Sequence, residues 1–247
     1  MRTAHARTLL LLGAVLLRLL LRIPPHVQRP LSLPQLWRTG DMVLFRTTCP
    51  LFRLSTAITT SEFSHIGVVL APPHAPQPML LESLEPSHHT LVDCWTAQHK
   101  DGPQMLPLMP RLHEYVQRRG GYVVVRKLCG PPLPNATARI REFASAVPRF
   151  PSVPDLVLSV LMAMLRDQYV EVLPPQVVPP DTICCSAFVA QCYRLWGIMQ
   201  PTVHHSFIYP SLFAEQESER RVSPLLGLKE PYRFTEGVEL LLDAVKK

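Results

Sequence analysis

The chain has 247 residues, of which 47% are hydrophobic and only 18% charged. That is enough apolar material for one domain with a full core, or two small ones, and it argues against a largely disordered protein. The net charge of +6 is not a property of the whole chain: residues 1–40 hold six arginines (Arg2, Arg7, Arg18, Arg22, Arg29, Arg38) and no acid, and from Asp41 onward 19 basic residues balance 19 acidic ones. A nucleic-acid surface is therefore a poor inference, and no nucleic-acid partner is expected.

Thr8 to Leu21 is almost wholly apolar, broken by Arg18, and is shorter than the roughly 20 residues that span a bilayer squarely. It reads as a short signal anchor with snorkelling arginines, an in-plane amphipathic helix on anionic lipid, or an Arg-rich mitochondrial-type presequence. No small-residue cleavage site follows, so retention is expected over removal, with the membrane contacted through residues 8–22. The arginines after the segment slightly outweigh those before it, which places the main domain in the cytosol; a lumenal or mitochondrial location is the alternative.

The organisation expected is an anchor or signal segment over 1–23, a Pro-rich spacer over 24–36, a domain over 37–215 and a tail with an amphipathic helix over 216–247. The 27 prolines imply many fixed turns. Gly40-Asp41 forms a turn before a strand, Met42 to Arg46. Cys49 to Thr60 has helical character. Ser64 to Leu70 is a strand, Met79 to Ser83 another after a Pro-rich connection, and Thr90 to Thr96 a third. Gly120-Gly121 opens a buried strand, Tyr122 to Leu128. Helices follow over Thr137 to Ala146, with Ile140 and Phe143 inward, and over Asp155 to Leu165. The spacing predicts a terminal helix over Glu236 to Lys246. Asn135-Ala136-Thr137 is a glycosylation sequon, relevant only if the domain is lumenal.

Thr182 to Gly197 reads as a helix opening at a cysteine, with Asp181 or Thr182 as N-cap and Gly197 as a left-handed C-terminal cap. Val189, Cys192 and Trp196 share one face. A cysteine in the first turn of a helix meets free backbone N–H groups and the positive end of the macrodipole, which favour the thiolate and hence a nucleophile; a buried structural thiol is the competing reading. The six cysteines (Cys49, Cys94, Cys129, Cys184, Cys185, Cys192) show no C-x-x-C spacing and read as reduced thiols.

A cysteine nucleophile needs a base, and the base an orienting partner. His65, leading an apolar strand with Gly67 two residues on, is the candidate base. Glu82, embedded in the next strand, falls opposite or diagonal to it in a hairpin and could hold the imidazole in one tautomer; Glu85 could play the same part. A zinc site of Cys184, Cys185 and His204 or His205 fits tetrahedral geometry poorly.

Gly40-Asp41-Met42-Val43-Leu44-Phe45, then Phe63-Ser64-His65-Ile66-Gly67-Val68-Val69, then Leu81-Glu82-Ser83, then Cys185-Ser186-Ala187-Phe188-Val189, in that order, resemble the YiiX/YaeF-type permuted papain-like family of the NlpC-type superfamily. Tyr209-Pro210-Ser211-Leu212-Phe213 is similar to that family's closing segment. The resemblance implies an α+β, circularly permuted papain-like fold, with a small antiparallel sheet packed on the nucleophile helix. It also implies a cysteine hydrolase with Cys185 as nucleophile, His65 as base and Glu82 as its orienting acid. Register with Ser186 selects Cys185 and would point Cys184 into the fold. No metal or organic cofactor is implied. The substrate expected is an amide, ester or thioester, lipid-linked or on a membrane protein given the N-terminus. Ala187 stands where the family has an acid, and the Gly-x-x-Tyr-Asp stretch is not clear, which leaves the oxyanion partner unassigned beyond the Cys185 N–H. The rival functions are a membrane lipid acyltransferase or phospholipase, as in the lecithin retinol acyltransferase branch, and an inactive membrane-tethered binding protein.

Overall fold

A run of five residues, Met42–Arg46 (β1), lies at the middle of the sheet, antiparallel to His65–Leu70 (β2) on one side and to Tyr122–Arg126 (β5) on the other. Its first four residues are buried on both faces, which is why the sequence there is continuously apolar instead of alternating. The computed structural model describes residues 37–46, 63–72, 75–85, 89–119, 121–147, 149–152, 155, 181–200, 213, 228–235 and 238–240. Beyond β2 come Met79–Leu84 (β3) and Gly102–Pro107 (β4); beyond β5 comes Val238–Leu240 (β8). The sheet is six-stranded in the order β4-β3-β2-β1-β5-β8, with every pairing antiparallel. A two-stranded ribbon joins Leu128–Cys129 (β6) to Arg233–Phe234 (β7).

The period of two along each strand sorts side chains between two cores. Val43, Phe45, Val69, Leu80, Val123 and Val125 face Leu108, Leu112 and Tyr115 of the helix Leu108–Arg119 (α1). Met42, Leu44, Ile66, Val68, Leu81 and Val124 face the opposite core, built by Thr137–Ala146 (α2) and Cys185–Leu195 (α3). The rings of Phe143 and Phe188 stack at 6.4 Å and join α2 to α3. The molecule is thus a mixed α+β fold with helices on both faces of an antiparallel sheet.

Two glycines punctuate it. Gly197 (φ +79°) ends α3 in the left-handed region, donating to the Arg194 carbonyl at 2.9 Å while Ile198 donates to Tyr193 at 3.1 Å. This is the cap expected from the sequence. Gly40 (φ +95°) turns the chain into β1, and a Cβ there would lie 2.5 Å from a Leu128 methyl. Tyr193 ties the two together, its hydroxyl donating to the Gly40 carbonyl at 2.9 Å.

Several expectations are corrected. Thr90 to Thr96 is not a strand: residues 94–97 turn between a single bridge of Asp93 and Gln98, because the Asp93 carboxylate collects the Thr96 N–H and hydroxyl and the Met105 N–H, a side-chain alternative to ladder bonds. The terminal segment expected as helix supplies β8 at Val238–Leu240, pairing with Val123–Val125; the open edge of β5 offers that backbone partners. Within the expected tail, Arg233–Phe234 pair with β6 and Val238–Leu240 with β5. The N-cap of α3 is Cys184, without a side-chain cap bond. Asp181 and Thr182 instead run beside Arg149, whose N–H donates to the Asp181 carbonyl and whose carbonyl accepts from Ile183. β4 and α1 were not expected at all. The helices expected over 49–60 and 155–165 fall, apart from residue 155, outside the described residues, as does the apolar segment 8–22. No helix among the described residues is long and apolar enough to cross a membrane.

Candidate active site

His65 is the first residue of β2 and stands across from Phe45 of β1, their rings 5.2 Å apart. It therefore lies on the α1 face. The pairing of β2 with β3 runs as far as Val68 opposite Leu81. Continued by one step it sets Glu82 beside Gly67, diagonal to His65 on the same face. The two side chains meet there: His65 Nε2 and Glu82 Oε2 are 2.5 Å apart. Glu82 is fully buried and His65 is 7% exposed. Glu85 is exposed and has no part in this contact, so the carboxylate favoured from sequence is the one that reaches the imidazole.

A residue that sequence reasoning missed completes the group. Arg111 of α1, 1% exposed, donates from Nε to Glu82 Oε1 at 2.6 Å and from Nη2 to Oε2 at 3.5 Å. Its guanidinium lies 5.7 Å from the Phe45 ring centre and 5.6 Å from that of Tyr115, the planar packing this side chain favours. Burial pushes the Glu82 carboxyl up, but the Arg111 charge and the His65 hydrogen bond outweigh it and hold the group at about 2. Glu82 is thus a carboxylate. It can only accept, so Nε2 carries the imidazole proton and Nδ1 is the nitrogen left to act as a base. The signal that could have found Arg111 was the helical spacing of Leu108, Leu112 and Tyr115, with Pro110 tolerated in the first turn.

Cys185 opens α3, which packs on β2 and β3 from the other face. The structure joins His65 to Glu82 on one side of the sheet and puts Cys185 in the core of the other, together with Ile66 and Val68. The backbone N–H groups of Ile66, the residue after His65, and of Ser186 favour the ionised form of its thiol. A lowered thiol was expected from the helix terminus. Burial instead pushes the Cys185 thiol well above its ordinary range, with Cys184 adding to the rise, and the two N–H groups recover only part of it. Cys184, expected to point into the fold, is the more exposed of the pair, with Sγ 3.6 Å from the Ser186 hydroxyl. A second residue that sequence reasoning missed fastens this corner: Ser83, fully buried on β3, donates to the Ile183 carbonyl at 2.6 Å, two residues before Cys185.

The described cysteines Cys94, Cys129, Cys184, Cys185 and Cys192 are free thiols, and Cys49 lies outside the described residues. Among the described residues no group of three or more His, Cys, Asp or Glu could hold a metal; His204 and His205 are not among them. A groove of ≈ 850 Å³ lies elsewhere, between α2 and the turn at Cys94 and Trp95, and none of the three candidate residues lines it. Asn135 of the sequon is exposed, its side-chain oxygen accepting from the Thr137 N–H at 3.1 Å.

No family model matches the chain, and no curated protein matches it. Among solved structures it resembles the metalloprotein yiiX of Escherichia coli O157:H7, a DUF1105 protein, at 15% identity and a TM-score of 0.38. The match covers 64% of this chain and 64% of that one, so it spans less than two thirds of that protein's length.

Proposed function

We propose that the chain is a cysteine-dependent hydrolase of amide, ester or thioester acyl bonds, on a circularly permuted papain-like fold, with Cys185 as nucleophile, His65 as base and Glu82 as the group that orients His65. The observation that carries this reading is the buried contact between His65 Nε2 and Glu82 Oε2, on the two strands, β2 and β3, against which the helix opened by Cys185 packs. Because burial keeps the thiol protonated, proton loss is coupled to attack instead of preceding it. His65 and Cys185 lie on opposite faces of the sheet, so this reading requires them to meet around the end of β2, where His65 is the first residue; Nδ1 then takes the thiol proton as sulfur bonds to the acyl carbon, and the carbonyl oxygen becomes an oxyanion beside the Cys185 N–H at the start of α3. Collapse breaks the bond to the leaving group, which receives the proton back from the imidazolium. Water then attacks the thioester with His65 again as base, releasing acid and free thiol. No step uses a metal or organic cofactor.

The N-terminal segment favours a lipid-linked or membrane-protein acyl group as substrate. A panel of peptide amides, thioesters and phospholipids, assayed with the full chain in detergent or vesicles, sorts hydrolase from lipid acyltransferase. Cys185→Ala and His65→Asn are each expected to lower turnover by roughly 10³-fold or more. Equal turnover in wild type and Cys185→Ala would remove the nucleophile assignment. The burial of Cys185, 7% exposed, favours a second reading, a binding protein without catalysis; it predicts no turnover of any member of the panel.

A further inference from the structure

We propose that Arg111 is the positioning residue of this site: by holding Glu82 as a carboxylate it fixes the proton of the imidazole on Nε2 and so leaves Nδ1 as the acceptor. Among the described residues, the hydrogen bonds of Arg111 go to Glu82, and its Nη1 has no partner. An arginine this deeply buried is kept only by what it pairs with.

Among the described residues, the groups around the pair offer no substitute. On α1, Glu114 is the other acid, and its Oε1 is taken by the Thr90 N–H and hydroxyl at 2.6 and 2.7 Å, with Arg118 at 3.4 Å. From the loop before β4, His89 is 4% exposed and near Glu82, Arg111, Glu114 and the Leu91 backbone, and neither ring nitrogen makes a well-formed hydrogen bond among the described residues; the His99 ring centre is 6.2 Å from its own. From β4, Gln104 stands opposite Glu82, uncharged and fully buried. From β2 there is His65 itself, and on α1 the Tyr115 ring. Arg111 is thus the cation that compensates Glu82.

The consequence follows from proton counting. Without that cation, Glu82 is a buried carboxylate with only a neutral imidazole beside it, and burial favours its acid form. One proton enters from solvent and lands on Nδ1, while the proton of Nε2 passes to Glu82, whose O–H then donates back to Nε2. The imidazole is still neutral, but its base is blocked. A salt bridge that merely held α1 on the sheet would not move the tautomer.

The test uses the full chain, uniformly ¹⁵N-labelled, with long-range proton–nitrogen correlations of His65 assigned by loss of the signals in His65→Asn. Wild type near about pH 7 is expected to show Nε2 protonated and Nδ1 bare. Arg111→Gln is expected to show Nδ1 protonated at the same pH, and Arg111→Lys is expected to restore the wild-type pattern. A folded Arg111→Gln that keeps the His65 proton on Nε2, with Nδ1 bare as in wild type, overturns the proposal. If Arg111→Gln does not fold, the Glu82 carboxyl ¹³C shift in wild type decides: ionised down to about pH 4 supports the assignment, and protonation above about pH 5 overturns it. The proposal rests on the hydrolase reading for its meaning and not for its measurement. A wild type with this tautomer and no acyl turnover removes the hydrolase and leaves Arg111's role standing.

Discussion

Asp41 supports a quantitative prediction. It is fully buried at the entry to β1. Its Oδ2 accepts from the Arg38 N–H at 2.7 Å and from the Lys127 ammonium, and its Oδ1 accepts from the Leu128 N–H at 3.1 Å. One carboxylate thereby closes the Gly40 turn and joins it to the start of β6. Asp41→Ala leaves two backbone donors without their acceptor and removes the counter-ion of Lys127. Each buried donor left unmade costs about 1–3 kcal/mol. The Lys127 side chain is 26% exposed, so its contribution is discounted to about 1 kcal/mol or less. The sum is about 2–7 kcal/mol, a large part of the total stability of an ordinary domain. Asp41→Asn keeps one acceptor oxygen and is expected to recover about half. Urea denaturation followed by circular dichroism measures both, with an unchanged m-value as the control. A loss below about 1 kcal/mol in Asp41→Ala would refute this account of the turn.

Other outcomes follow from the same contacts. Glu82 sits at about 2 in the fold against 4.5 ordinarily, so its ionisation stabilises the folded state fully above about pH 4.5, and that stability is lost as pH falls through about 2. Between those limits, wild type should lose about 3 kcal/mol relative to Glu82→Gln in acid denaturation; parallel curves for the two proteins would show that Glu82 is not held as described. Ser83→Ala removes the donor to Ile183 and should cost about 1 kcal/mol while slowing acylation of Cys185 several-fold; an unchanged acylation rate would mean the corner before α3 is held by other contacts. Gly67→Ala places a Cβ 2.8 Å from a Leu80 methyl and 3.2 Å from the Leu81 carbonyl, and should destabilise by about 1–3 kcal/mol; a neutral effect in thermal denaturation would show that Leu80 gives way freely.

Much of the fold was readable where local pattern and burial agree. β1 is apolar because it is buried on both faces, and α2 occupies the residues its spacing indicates. The left-handed cap at Gly197 follows from a glycine at the end of an amphipathic run. The contact of His65 with Glu82 was legible because two neighbouring strands leave few positions for a cross-strand pair. What was hidden depended on tertiary context. Prolines 103, 107 and 110 look like loop punctuation, yet Pro103 and Pro107 lie in β4, and Pro110 is accommodated in the first turn of α1. Arg111 was lost with that helix, since an arginine is read by default as solvent-facing. The segment at Val238–Leu240 has helical spacing, but the free edge of β5 decides its backbone. The thiol of Cys185 was expected to be lowered by the helix terminus, and the sequence carried no measure of the burial that outweighs it.

Acylation of Cys185 with His65 as its base is put to the test by trapping the intermediate. Full-length protein is mixed with a slowly deacylating thioester or activated ester, quenched in acid, and mapped by peptide mass spectrometry. The expected result is a single acyl group on Cys185 in wild type, with its rate of formation falling by roughly 10³-fold or more in His65→Asn. An acyl group on Cys184 or Cys94 instead, or one that forms on Cys185 equally fast without His65, would contradict it.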